Sequence, residues 1–227
     1  MSGIYKTLWN DAVAAFEQGQ PHIDPHLSDK ANDPRRGVTL VFRPSPSVRD
    51  AVAAFTGRLA AVCPGQHLYQ PEELHVTVLS IISGTEHWRR EMERLHACLP
   101  SIRKALANHH PFKINFRGVT ASPGSVLIQG FPHDEALANI RNDLRAAFAQ
   151  NGFGDMLDRR YKISGAHMTA MRFGKPCTDL KPLLTFLKSS REIPFGETEV
   201  TNLQLIFNDW YASAETVRVL EEYRLSK

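Results

Sequence analysis

Apolar residues recur along this chain with two periods, near 3.6 and near 2, and each change of period marks an element. Leu8, Val13 and Phe16 form one stripe of a helix predicted over about residues 3–18. Residues 20–36 (QPHIDPHLSDKANDPRR) lose the period and collect Pro, Asp and Asn, which predicts a loop or arm. Residues 37–43 (GVTLVFR) read as a strand. Val48, Val52, Phe55, Leu59 and Val62 then fall at helical spacing. Residues 74–82 (LHVTVLSII) are β-rich and apolar. The longest helical pattern follows, through Trp88, Met92, Leu95, Leu99, Ile102 and Leu106, with Pro100 expected to kink or split it.

In the second half, strands are predicted at 112–120 and 125–130 around the turn Ser122-Pro123-Gly124. Leu137, Ile140, Leu144 and Phe148 define an amphipathic helix over 134–150. A strand at 166–173, a short helix at 179–188 and one strand over 198–207 complete the pattern, while the period of 215–225 fits strand and helix equally. Helices alternate with strands, but hairpins are mixed in. That combination predicts an α+β protein with antiparallel or mixed sheets, not a doubly wound parallel one.

Composition narrows the function classes. Apolar residues make up 42% and charged residues 22% of 227, as in a soluble globular protein. The net charge of +3 is too small for a nucleic-acid coat but permits a local basic groove. Arg35-Arg36 and Arg159-Arg160-Tyr161-Lys162 are the densest basic spots, and each by itself reads as solvated charge. No apolar run spans a bilayer and the start carries no signal-peptide pattern, so a cytoplasmic protein without membrane association is expected. Cys63, Cys98 and Cys177 are few and scattered, which speaks against a disulfide framework or a zinc site. His22, Asp24 and His26 imitate metal-ligand spacing, but Pro21 and Pro25 make this a loop, and no metal is expected.

Two segments stand out chemically. Leu74-His75-Val76-Thr77-Val78 and Ala166-His167-Met168-Thr169-Ala170 each place His and Thr two apart in an apolar strand. Alternation puts the polar pair on one face and the apolar residues on the other. Polar pairs facing out of otherwise burial-fit strands must meet water, a partner or a ligand. The chemistry that wants them is in-line displacement at phosphorus. One imidazole takes a proton, the other gives one, and threonine hydroxyls donate to the phosphate oxygens. A lone HxT is weak evidence; two copies in apolar strands 92 residues apart are a rarer coincidence. Tyr69, Phe116, Tyr161, Phe173 and Trp210 are aromatic residues able to stack on a base, though core packing suits most of them better.

PEELHVTVLSI (71–81) and GAHMTAMRF (165–173) resemble the paired HxT signatures of the 2H phosphoesterase superfamily, which includes 2'-5' RNA ligases and cyclic nucleotide phosphodiesterases. Arg172, three residues after Thr169, looks like the HxTxxR form of the RNA-ligase-like branch. The resemblance spans about residues 36–225. It divides the chain into an N-terminal helix and arm (1–35) and a single domain (36–227). It implies a bilobal fold of two βαβ-rich lobes around a central groove, one motif per lobe. His75 and His167 would be the acid–base pair, and Thr77, Thr169 and Arg172 phosphate ligands. Strict alternation, however, sends Arg172 to the face opposite His167. The implied enzyme cleaves cyclic or 2'-5' phosphodiesters of RNA or nucleotides as a monomer, without metal or organic cofactor. The alternative is a non-catalytic RNA- or nucleotide-binding module using the same groove. The first motif departs from the family in lacking the aromatic residue that commonly follows it.

Overall fold

The computed structural model describes residues 3–226; Met1, Ser2 and Lys227 lie outside the described residues. Five α-helices and nine strands are present among them. The first sheet has the order β3-β1-β8-β9, from β1 (Arg36–Phe42), β3 (Val76–Thr85), β8 (Asn202–Asp209) and β9 (Arg218–Arg224). The second has the order β2-β6-β5-β4-β7. Its strands are β2 (His67–Leu68), β4 (Phe112–Ser122), β5 (Ser125–Pro132), β6 (Met168–Arg172) and β7 (Pro194–Val200). Every described strand pair is antiparallel, so the expected α+β class holds, in its antiparallel form.

Each motif strand ends a strand–helix–strand unit: β1–α2–β3, with α2 at Pro46–Val62, and β5–α4–β6, with α4 at Ala136–Gln150. The helices cross over. Phe55 of α2 packs on Phe195 of β7 in the second sheet and on Phe186 of α5 (Lys181–Ser189). Helix α4 packs on α3 (Trp88–Leu106) and on β3 of the first sheet. The stripes read from the sequence drive this packing: Val52, Phe55 and Leu59 of α2 and Leu137, Ile140, Leu144 and Phe148 of α4 are all buried. Crossing over ties the two sheets together, because each helix belongs by sequence to one sheet and by contact to the other.

Helix α1 (Gly3–Glu17) lies on β4, as its buried Tyr5, Ala12 and Phe16 require. The Tyr5 hydroxyl donates to the Gly130 carbonyl (2.9 Å) and accepts from the Ala166 N–H (3.0 Å), which pins the chain just before His167. Gly130 is needed there, since a Cβ would come within 2.0 Å of the Ala166 carbonyl oxygen. The arm carries a short 3₁₀ helix, Pro25–Asn32.

Two expectations change and one open alternative is settled. Helix α3 runs unbroken through Pro100. The single strand predicted over 198–207 is two, because the chain leaves β7 in one sheet at Thr201 and enters β8 in the other. The period-2 pattern continues across the junction and carries no record of the change of partner. The undecided tail is strand β9, paired with β8. The scattered Cys63 and Cys177 come together, Sγ to Sγ 3.4 Å, well away from the motif strands' polar face.

Candidate active site

The two HxT segments meet at one groove. A cavity of about 170 Å³, room for roughly ten waters, is lined by His75, Thr77, His167, Thr169 and Arg172 together. The remaining walls come from Tyr69, β1, the far part of β3, the end of β8 with the turn after it, and a loop that contributes Arg160 and Tyr161. Both histidines sit one residue before their strands begin. Behind them Leu74, Val76, Ala166 and Met168 are buried, as alternation predicts.

Beyond each threonine the alternation breaks in the same way. In the β1–β3 pair, Leu40 faces Leu79 and Val41 faces Thr77, which leaves Val78 as an extra residue. In the β5–β6 pair, Val126 faces Met171 and Leu127 faces Thr169, which leaves Ala170 extra. Each is a β-bulge, and one added residue inverts the in–out parity beyond it. Val78 and Leu79 are therefore both buried, and so are Ala170 and Met171. Ser80 and Arg172 then fall on the groove side. This corrects the expectation that strict alternation would turn Arg172 away. It also shows Ser80 as the positional counterpart of Arg172, a residue that sequence reasoning passed over. Arg172 is fixed by donating from Nε to the Tyr69 hydroxyl (2.8 Å), and the Tyr69 N–H in turn caps the Ala170 carbonyl (3.1 Å).

The buried Arg141 of α4 joins the two motifs. Its guanidinium donates to the Val78 (2.9 Å) and Thr77 (2.9 Å) carbonyls on one side. On the other it donates to Ser164 (2.9 Å) and Gly165 (2.7 Å), just before His167. Consecutive carbonyls of a regular strand point in opposite directions; the bulge at Val78 lets one guanidinium take both. Burial lowers Arg141 to about 10, helped by the neighbouring charge of Arg145, so it remains a cation at neutral pH. Four residues on, Arg145 shares this face of α4 and holds Asp158 (2.6 Å) and the Ile163 carbonyl (3.0 Å). That pairing anchors the loop bearing Arg160 and Tyr161. An arginine inside the apolar stripe Leu137–Leu144–Phe148 was the sequence signal for Arg141.

Burial and neighbouring positive charge keep both imidazoles neutral at pH 7. Burial pushes His75 down to about 4, against the partly compensating hydrogen bond from Nδ1 to the Glu73 carbonyl (2.7 Å); Arg43, Arg172 and His167 push the same way as burial. Burial likewise brings His167 to about 4, with Arg141 and Arg172 adding to the effect. The Glu73 bond assigns the proton of neutral His75 to Nδ1 and leaves Nε2 as its lone-pair nitrogen. The Nδ1 atom of His167 is buried without a hydrogen-bond partner among the described residues.

Of the aromatic candidates, Phe116 and Phe173 are core residues and Tyr69 is buried behind Arg172. Tyr161 is 64% exposed at the groove, which leaves its ring free for a ligand. The Trp210 ring carries the guanidinium groups of Arg35 (4.3 Å) and Arg160 (4.0 Å). These two basic spots are thus drawn to the groove rim and are not merely solvated. Among the described residues, no group of three His, Cys, Asp or Glu is arranged to hold a metal ion. No helix among them is long and apolar enough to cross a membrane.

A family model described as AKAP7 2'5' RNA ligase-like domain matches residues 41–216. The chain belongs to that family. It is therefore a member of the 2H phosphoesterase superfamily, whose function is of the phosphoesterase or RNA-ligase type. The domain's fold is shared by TT0787 of Thermus thermophilus at 18% identity and a TM-score of 0.63, over 83% of this chain and 97% of that one. It is shared by E. coli LigT, solved with 3'-AMP, at 12% identity and a TM-score of 0.57, over 85% and 99%. ATU0111 from Agrobacterium tumefaciens, a conserved protein of unknown function, aligns at 15% identity and a TM-score of 0.54 over 95% and 99%. No curated protein matches the domain by sequence.

Proposed function

We propose that the domain cleaves a cyclic (2',3'-type) or 2'-5' phosphodiester of RNA or a nucleotide, with His75 and His167 as the acid–base pair. The observation that carries this reading is the convergence of both imidazoles and both threonines on one cavity. One imidazole removes the proton of the attacking water and the other protonates the departing oxygen. Thr77 and Thr169 donate to the non-bridging oxygens, and Arg172, held by Tyr69, supplies positive charge for the phosphate. The two imidazoles perform the proton transfers themselves, so the mechanism calls for no metal. Assay of a 2',3'-cyclic nucleotide in excess chelator tests this: turnover is expected to persist. Nucleotide binding with no turnover on cyclic or 2'-5' substrates would favour the binding module instead.

The hydroxyls are tested by Thr77→Val and Thr169→Val, which keep shape and β preference but remove the donor. Each is expected to lower kcat/KM by roughly 10–10³-fold, with little change in Tm because both side chains are only partly buried. Steady-state kinetics beside thermal melts separates the two effects.

Acidity is tested by the pH profile. Turnover needs one imidazolium, yet both imidazoles of the free groove titrate near 4. The kcat/KM profile reports the free enzyme and is expected to peak below pH 6 and fall toward 7. A bound phosphate's negative charge raises the imidazole, so the kcat profile should lie nearer neutrality. An optimum of kcat/KM at or above 7 would contradict the arrangement. Stability follows the same groups. Unfolded imidazoles protonate near 6.5 and the folded ones near 4. Their contribution is therefore full above about 6.5 and is lost as pH falls toward about 4.

A further inference from the structure

A second cavity adjoins the first, and Arg160, Arg172 and Trp210 line both. Its outer wall is the arm, through His22, Asp24, His26 and Arg35. The arm is fastened in place. The His22 N–H donates to the Pro123 carbonyl (2.8 Å), and the Asp24 N–H to the Phe173 carbonyl (2.8 Å). Asp24 is the one acid among the residues lining this cavity, and its carboxylate is already engaged. It accepts from the Tyr211 hydroxyl (3.1 Å) and from the His26 N–H (3.1 Å), and stands 3.6 Å from Arg35. Arg35 is paired further with Asp33. Arg160 makes no hydrogen bond or ion pair among the described residues; its guanidinium only rests on Trp210. Three guanidinium groups, of Arg35, Arg160 and Arg172, thus converge on a single acid, Asp24, which stands beside Arg35 and also favours the charge of Arg172. Such an excess of fixed positive charge is matched by an anion, and guanidinium suits phosphate oxygens best.

We propose that this second cavity, walled by the arm, is a subsite for the phosphodiester next to the reacting one, so that a strand carrying a second phosphate is held more tightly than a mononucleotide. The proposal rests on the phosphodiester reading of the first cavity and extends it. Arg172 lines both cavities, so the reacting phosphate and its neighbour share one guanidinium between them. Arg160, which among the described residues has no hydrogen bond or ion pair, receives the second phosphate. The arm, which lies outside the family match, is then what lengthens the recognised substrate.

Calorimetric titration tests this without relying on turnover. The probes are the 3'-phosphorylated dinucleotide ApAp and the same molecule with a neutral methylphosphonate at its internal linkage. The charged linkage is expected to bind roughly tenfold more tightly, with a log–log salt slope steeper by about 0.7. In Arg160→Gln that difference should shrink below about twofold. The comparison of ligands is made on one unaltered protein, so it stands even if the variant is unstable. Equal affinity for the two dinucleotides in the unaltered protein would overturn the subsite. That outcome is distinct from failure of the catalytic reading, which would appear as absent turnover of cyclic nucleotides and 2'-5' dinucleotides alike.

Discussion

Replacing either His75 or His167 with alanine is expected to lower kcat/KM on the turned-over phosphodiester by about 10²–10⁴-fold, the usual contribution of one general acid or base. Replacing both should cost little more than one, because acid and base act on a single displacement and neither is useful alone. The fold should survive. Each imidazole is neutral and partly solvent-facing; alanine removes one hydrogen bond at His75, to the Glu73 carbonyl, and little that is bonded at His167, whose Nδ1 has no partner among the described residues. Far-UV spectra and melts of the variants, run with the same preparations as the kinetics, check that point. Near-normal turnover by either folded single variant would end the assignment of His75 and His167 as a pair.

Arg141→Met is expected to be the most damaging substitution outside the cavity. Methionine fits the apolar stripe of α4, but it leaves the Thr77, Val78, Ser164 and Gly165 carbonyls without their donor. An unsatisfied buried acceptor costs about 1–3 kcal/mol, and water will recover some of the four, so a loss of about 3–5 kcal/mol is expected. Chemical denaturation measures it. Turnover per folded molecule should also fall, by about 10²-fold, because the guanidinium sets the spacing of the two motif segments and a small misplacement is that costly. Arg141→Lys keeps the charge but not the fork, and should lie between the two. A variant that loses stability yet keeps kcat would show that Arg141 supports the fold without positioning the groove.

Much of this was written locally. The stripes of α2 and α4 and the apolar backs of the motif strands are one-dimensional patterns, and burial follows them. His75, Thr77, His167 and Thr169 were legible for the same reason: a polar pair interrupting an apolar strand is visible without knowing its neighbours. The resemblance of those motifs led to the family before any contact was known.

What the sequence by itself determined was which side chains point away from the core in each motif as far as its threonine, because up to the bulge that depends only on local alternation. Tertiary structure alone decided that the two histidines share a cavity, that the bulges at Val78 and Ala170 turn Ser80 and Arg172 into it, and that β7 and β8 belong to different sheets. It alone brought Arg141 between the motifs and laid the arm beside Arg160. The physical reason is common to all of these. A bulge, a sheet partner and a guanidinium's four acceptors are set by hydrogen bonds between segments far apart in the chain, and local alternation cannot encode the register of a distant partner.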